Sequence, residues 1–269
     1  MSAEQTFSAS QKLFLNGQHL TKVFYSIFLG EFTVINAALS QQNNDRSKAN
    51  KLMSNNQTTQ LLTEFFGTAL LLAVVTGSGI MGEVLGAGNA AVALLGNSIA
   101  TGCGLYVLIT LLGPISGAHF NPVVSAMFWR MGMLDNKALF AYVAMQISGA
   151  IVGVWLIHLL FALPIIQAST KPRHGLGIWM SEFVSTLILL FVIRLAIQYS
   201  KEKIAMLVAM TVTAGYWFTS STFFANPAVT LARSLSNTFV GIAPADIIGF
   251  VSAQLLAVLL VCWLIKAKK

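Results

Sequence analysis

Two stretches decide how this chain is read: SGAHFNPVVSAMFWR at 116–130 and FFANPAVTLARSL at 223–235. Each sets an Asn-Pro pair, Asn121-Pro122 and Asn226-Pro227, in a broken apolar segment between long apolar runs. Asn is a strong helix N-cap, because its side-chain oxygen accepts a backbone N–H of the first turn. Pro is favoured at the first helical position, where no donor is needed. Each pair therefore starts a short helix. A single Asn-Pro is an ordinary turn signal, but two in matched surroundings need a shared explanation.

The surroundings are those of a membrane protein. The chain has 269 residues, 56% hydrophobic and 9% charged, with mean hydropathy +0.74. Soluble domains carry about 25% charged residues. The net charge is +7, yet Lys and Arg sit between and beyond the apolar runs. They form no basic face with interleaved aromatics, so no nucleic-acid partner is expected. Cys103 and Cys262 lie inside apolar runs with no spacing motif, which predicts free packed thiols. No metal-binding or nucleophile motif occurs, so neither cofactor, metal nor enzymatic activity is expected.

A spanning helix needs about 20 apolar residues. Six segments qualify, at approximately 61–81, 90–112, 137–161, 176–198, 204–222 and 244–265. Residues 113–135 and 223–240 are too broken to span and too apolar for solvent loops. Residues 1–56 form a polar leader with one apolar run, 23–39, interrupted by Glu31, an interfacial-helix candidate. Met53 is an alternative start, because a short polar lead into the first helix follows it. The leader lacks the order of a cleaved signal peptide. Lys48, Lys51, Arg130, Lys137, Arg194, Lys201, Lys203, Lys266, Lys268 and Lys269 outnumber the basic residues of the other side. That bias puts both termini in the cytoplasm.

The chain also repeats itself. TEFFGTALLLAVV from Thr63 matches SEFVSTLILLFVI from Ser181, with Glu64 and Glu182 at the same offset. Gln146 precedes Trp155 as Gln254 precedes Trp263. Repeat 1 covers about 61–162 and repeat 2 about 176–266, within a domain over 57–269. Each has three spans and one Asn-Pro segment, so the second enters the membrane inverted. The fold class is thus an all-α membrane protein of six spans plus two re-entrant half-helices. Inverted repeats put their working site near the bilayer midplane. There the half-helices point two positive ends, near +0.5 charge each, at one spot. With each Asn oxygen used as a cap, its amide NH₂ is expected to face the lumen. A water accepting from both amides turns its hydrogens outward, which interrupts a proton-conducting chain.

These motifs, SGAHFNPVVS and FANPAVTLAR with Glu64, Glu182, Gln146 and Gln254, resemble the aquaporin or major intrinsic protein family. The barrier just described is the one known for aquaporin-type pores. The resemblance covers about residues 58–266 and implies an aquaporin fold, a pore in each subunit, a homotetramer in membrane lipid and a place in the inner (plasma) membrane. It implies that Glu64 and Glu182 are structural, accepting hydrogen bonds from looped backbone; intramembrane carboxylates also read as proton relays. It implies that carbonyls of Gly117, Ala118 and His119 line one pore half, and those of Thr222 to Ala225 the other. His119 reads as a packed lining imidazole or a pH sensor, and His158 as a core or interfacial residue.

Two departures from the family pattern matter. The first motif is Asn121-Pro122-Val123, with Val for Ala. After Asn226-Pro227-Ala228 comes Val229, where water-selective members carry Arg. Arg233, seven positions after Asn226 and so about 10 Å along the axis, is not expected to replace it. By resemblance the constriction comprises Thr101, Phe223, Val229 and a residue between Ala214, on a gap-free count, and Trp217. Such a constriction is wide and uncharged. The implied function is a passive channel for water and small uncharged solutes: glycerol, urea or undissociated metalloid hydroxides such as arsenous acid. The filter resembles that of bacterial members associated with arsenic handling. A strictly water-selective channel and a proton-coupled carrier using Glu64 and Glu182 are the alternatives.

Overall fold

A computed structural model gives the structure, and it describes residues 57–265 together with Gln41. Apart from Gln41, the leader over 1–56, its run 23–39 and Met53 lie outside the described residues, as do Lys266, Lys268 and Lys269. The chain divides into two compact units, Met1–Asn55 and Asn56–Lys269. All the elements below belong to the second. Among the described residues of that unit, eight α-helices follow one another: α1 (Gln57–Leu85), α2 (Ala90–Ser116), α3 (Pro122–Arg130), α4 (Asn136–Leu160), α5 (Leu176–Tyr199), α6 (Ile204–Phe218), α7 (Pro227–Arg233) and α8 (Ile247–Leu264). Turns of 3₁₀ helix, Lys201–Lys203 and Pro244–Asp246, lead into α6 and α8.

Capping chemistry sets several boundaries. Asn89 starts α2 by accepting from Ala91 and Val92 N–H, and Asp135 starts α4 by accepting from Ala138 N–H. At the end of α2, Gly117 takes φ 92, a left-handed conformation that suits glycine. Among the described residues, five helical segments are long and apolar enough to cross a membrane. The sixth expected span is shorter than its apolar run: 204–222 becomes α6, which stops at Phe218. Its 15 residues reach only about 22 Å. The hydroxyl-rich stretch Thr219 to Thr222 ends it. Thr219 Oγ1 bonds the Gly215 carbonyl at 2.7 Å, and such local bonds compete with helix continuation.

The inverted repeat is visible in which helices touch. Within the first half α1 packs on α2 and α4, and α3 on α4; within the second, α5 packs on α6 and α8, and α7 on α8. The short helices also cross over, α3 onto α8 and α7 onto α4, while α2 packs on α6. Large apolar side chains such as Phe66, Leu111, Phe140, Leu195 and Leu259 stay exposed on the flanks. That surface suits lipid, where hydrophobicity gives helices no reason to associate. Close approach of small residues takes over. A methyl at Gly149 would collide with the Phe65 carbonyl, and one at Gly153 with the Ala69 carbonyl.

Gly149→Ala is therefore expected to destabilise the protein by about 1–3 kcal/mol through overpacking. Gly96→Ala, where a methyl meets nothing within 4 Å, is expected to leave thermal unfolding in detergent unchanged or raised.

Candidate functional site

Ahead of each half-helix the backbone is not helical. Ala118 and Phe120 take φ of 49 and 48, and Phe223 and Ala225 take 53 and 46. These are the third and first residues before Asn121 and before Asn226, so both loops have the same left-handed pattern. Left-handed backbone costs a non-glycine residue about 1–2 kcal/mol. The N–H groups of His119, Phe120, Phe224 and Ala225 find no partner along the chain, and buried carboxylates supply one. Glu64 accepts from His119 N at 3.0 Å, Phe120 N at 2.8 Å, Ser116 Oγ at 2.7 Å and Gln146 Nε2 at 2.8 Å. Glu182 accepts from Ala225 N and, at 2.7 Å, from Gln254 Nε2. The Ser221 hydroxyl and Phe224 N–H also turn toward it. Both carboxylates are fully buried.

A second layer repeats in both halves. Gln146 also donates to Ser125 Oγ and Gln254 to Thr230 Oγ1, each at 2.9 Å. Ser125 and Thr230 stand four residues after their Asn, a match in the two motifs that sequence reading passed over. Ser125 also shares a 3.0 Å bond with His119 Nδ1, and the His119 ring lies 4.2 Å from that of Phe128. His158 is fully buried, its ring nitrogens 2.9 Å from Ile165 O and Ser236 Oγ.

The asparagines interlock. Asn121 Oδ1 accepts from Val123 N–H, and Asn226 Oδ1 from Ala228 and Val229 N–H. Asn121 Nδ2 donates to Ala225 O at 2.7 Å, and Asn226 Nδ2 to Phe120 O at 2.8 Å. One hydrogen of each amide is thus committed to the opposite repeat. The expectation of a wholly free NH₂ is corrected: one N–H per asparagine remains.

Both asparagines border one cavity of about 690 Å³. It runs from Lys201 and Glu202 at one end to Arg233 at the other. Gly117, Ala118, His119, Thr101, Phe223 and Val229 all line it. Pro122, Val123, Pro227, Ala228, Glu64 and Glu182 do not; they stand behind the wall. Ala214 is a correction. It is exposed on α6 and absent from the lining, whereas Tyr216 lines the cavity with its hydroxyl 3.2 Å from Thr101 Oγ1. The inward position on α6 is thus two residues beyond Ala214, inside the Ala214–Trp217 range left open by the sequence. Arg233 is the second correction. It stands four residues after Val229, so it shares a face of α7, and side chains lean toward the helix N-terminus. It is 2% exposed and borders the cavity, which therefore carries a charge at that end.

A profile of the family described as "Major intrinsic protein" matches residues 51–241. The chain belongs to the major intrinsic protein family. Among relatives of this family member is the aquaglyceroporin AqpS of Rhizobium meliloti, 49% identical over 213 residues, 78% of this chain and 91% of that one. The glycerol uptake facilitator protein of Pseudomonas aeruginosa is 35% identical over 108 residues, 40% of this chain and 38% of that one. The X-ray structure of the aquaglyceroporin from Plasmodium falciparum superposes with TM-score 0.55 at 22% identity, covering 78% of this chain and 98% of that one, a likeness of fold. As a major intrinsic protein the chain is a multi-pass membrane channel, not an enzyme, and it carries water and small neutral solutes.

Glu64→Gln replaces one acceptor oxygen with a donor where four donors converge. We expect a loss of about 1–3 kcal/mol per frustrated buried bond. Folded yield, water flux and glycerol flux should fall together in vesicles. A proton-coupled carrier would instead keep its folded yield and lose only gradient-driven accumulation.

Proposed function

We propose that residues 57–269 form a passive pore for water and small uncharged solutes bearing hydroxyl or amide groups, including glycerol, urea and undissociated arsenous acid. One observation carries this reading: the crossed asparagine amides border the middle of a single cavity walled mainly by apolar side chains. The remaining N–H of each amide, beside the positive ends of α3 and α7, is the feature we assign to excluding protons and cations. Thr101, Tyr216, Phe223 and Val229 form the selectivity constriction in this reading, with the hydroxyls of Thr101 and Tyr216 as its polar side. Val229 is compact where an arginine would fill the lumen, which favours a solute with several hydroxyls over water alone. Names of relatives that mention glycerol agree with this assignment.

We assign Gly117, Ala118 and His119 to the lining of the other half. Glu64 and Glu182 serve as loop supports; both oxygens of Glu64 and Oε1 of Glu182 are engaged by the half-helix loops and by Gln146 and Gln254, which speaks against a transported proton. We further assign both termini to the cytoplasm, the protein to the inner (plasma) membrane and the assembly to a homotetramer. The lysine and arginine bias supports the first of these.

Stopped-flow light scattering on reconstituted vesicles tests the constriction. Val229→Arg is expected to cut glycerol and arsenite flux about tenfold or more, some 1.4 kcal/mol, while water flux is retained. Equal loss for every solute would move the constriction elsewhere. The joint change Asn121→Asp with Asn226→Asp is expected to raise potassium leak through the vesicles. Unchanged cation exclusion would show that the amides are not the barrier.

A further inference from the structure

Two arginines flank the Phe224 ring, Arg233 on the cavity wall and Arg173 beside it, and neither forms an ion pair among the described residues. Arg233 donates through Nε to the Val240 carbonyl, and its guanidinium carbon sits 3.5 Å from the centroid of the Phe224 ring. Its Nη groups have no protein acceptor among the described residues, and the side chain, 2% exposed, borders the cavity. Arg173 arrives from the connection between α4 and α5. It donates through Nε to Gly241 O at 2.8 Å and through Nη1 to Thr222 Oγ1 at 3.3 Å, with its guanidinium carbon 5.2 Å from the same ring. The described ion pairs nearby are Lys171 with Glu83 at 3.9 Å and His174 with Asp246 at 3.3 Å. Asp246 takes the backbone N–H of Arg173, not its side chain. Burial pushes the Arg173 guanidinium below its ordinary pKa.

Two like charges held around one aromatic ring repel each other, and the buried Glu182 offsets this only from a distance, with no direct ion pair to either guanidinium among the described residues. A visiting anion relieves that repulsion. We propose that Arg173, Phe224 and Arg233 form a binding subsite for a small monovalent oxyanion, a carboxylate or sulfonate, with Phe224 and Arg233 on the cavity wall and Arg173 beside the same ring. A guanidinium presents a planar fork that matches such a group with two parallel bonds. The hydroxyls of Tyr216 and Thr101 line the same cavity and supply further donors. The anion stays where it binds. Farther in, the wall offers Val229, Phe223, Leu105 and Leu71, and an anion must shed most of its water among them before it reaches the asparagine amides. Occupancy therefore slows neutral solutes without carrying the anion across. This last step rests on the channel reading; the binding itself does not.

Methanesulfonate is a suitable probe, because it stays ionised and crosses lipid poorly. Two measurements separate binding from transport. First, the melting temperature of purified protein in detergent is followed as methanesulfonate replaces chloride at constant ionic strength. A saturable rise is expected for the wild type, since a ligand selective for the folded state stabilises it. The half-saturating concentration should rise about tenfold in Arg173→Gln and in Arg233→Lys, as loss of a charge-assisted bond predicts. Second, glycerol flux into vesicles is expected to fall saturably with the anion at a similar concentration. Each variant is compared with its own anion-free flux. Should Arg233→Lys fail to fold, the partly exposed Arg173 position decides alone. No saturable shift in the wild type, or the same shift in both variants, overturns the subsite. A saturable shift with unaltered glycerol flux keeps the subsite and overturns the block. Absence of glycerol flux under all conditions counts against the channel reading and leaves the melting result to judge the subsite.

Discussion

Non-helical backbone at lipid depth must find hydrogen-bond partners inside the protein. Everything distinctive in this chain answers that requirement. Two loops, 117–120 and 222–225, leave the N–H groups of His119, Phe120, Phe224 and Ala225 without a local backbone partner. Glu64 and Glu182 meet them from behind, each braced by a glutamine that is itself braced by a hydroxyl on the half-helix. An ionised carboxylate accepts several bonds in different directions, which no neutral side chain of that size matches. Its position on a long rigid helix fixes where each loop can sit. Left-handed φ at five non-glycine residues, Ala118, Phe120, Thr222, Phe223 and Ala225, is then sustained by its surroundings, as strained backbone must be.

The same constraint couples the halves. Asn121 uses its oxygen for its own helix and one amide hydrogen for the carbonyl of Ala225; Asn226 does the same with Phe120. Each loop therefore hangs partly from the other repeat. The short helices also pack across the pseudo-symmetry, α3 on α8 and α7 on α4. Neither repeat completes its own lumen wall, so the inversion read in the sequence is a mechanical necessity and not only a trace of duplication.

Much of this was legible before any coordinates. Asn-Pro in an apolar setting, matched Glu and Gln landmarks and an odd number of spans per repeat lead to opposed half-helices on chemical grounds alone. What escaped were features fixed by side-chain reach and by local register. Counting along α6 pointed to Ala214, but the register of the helix turns Tyr216 inward instead. Counting along the axis placed Arg233 too far off, because rise per residue ignores both the lean of the side chain and its length. Ser125 and Thr230 carry a repeat signal at equal spacing from each Asn, yet hydroxyls are too common for that spacing to stand out. The committed amide hydrogens were invisible because their acceptors are backbone carbonyls, which no sequence pattern marks.

The abbreviated α6 has a consequence for the surrounding bilayer. At about 22 Å it is shorter than the roughly 30 Å of hydrocarbon that its neighbours traverse. Its exposed Met206, Met210, Trp217 and Phe218 face outward, and the charged Lys201–Lys203 turn closes one end. Acyl chains beside this helix must compress or tilt to keep that turn out of the oil, at a fraction of a kcal/mol per ångström of mismatch. One flank of the protein thereby selects shorter or more disordered lipid than the others, an asymmetry of solvation written by the length of a single helix.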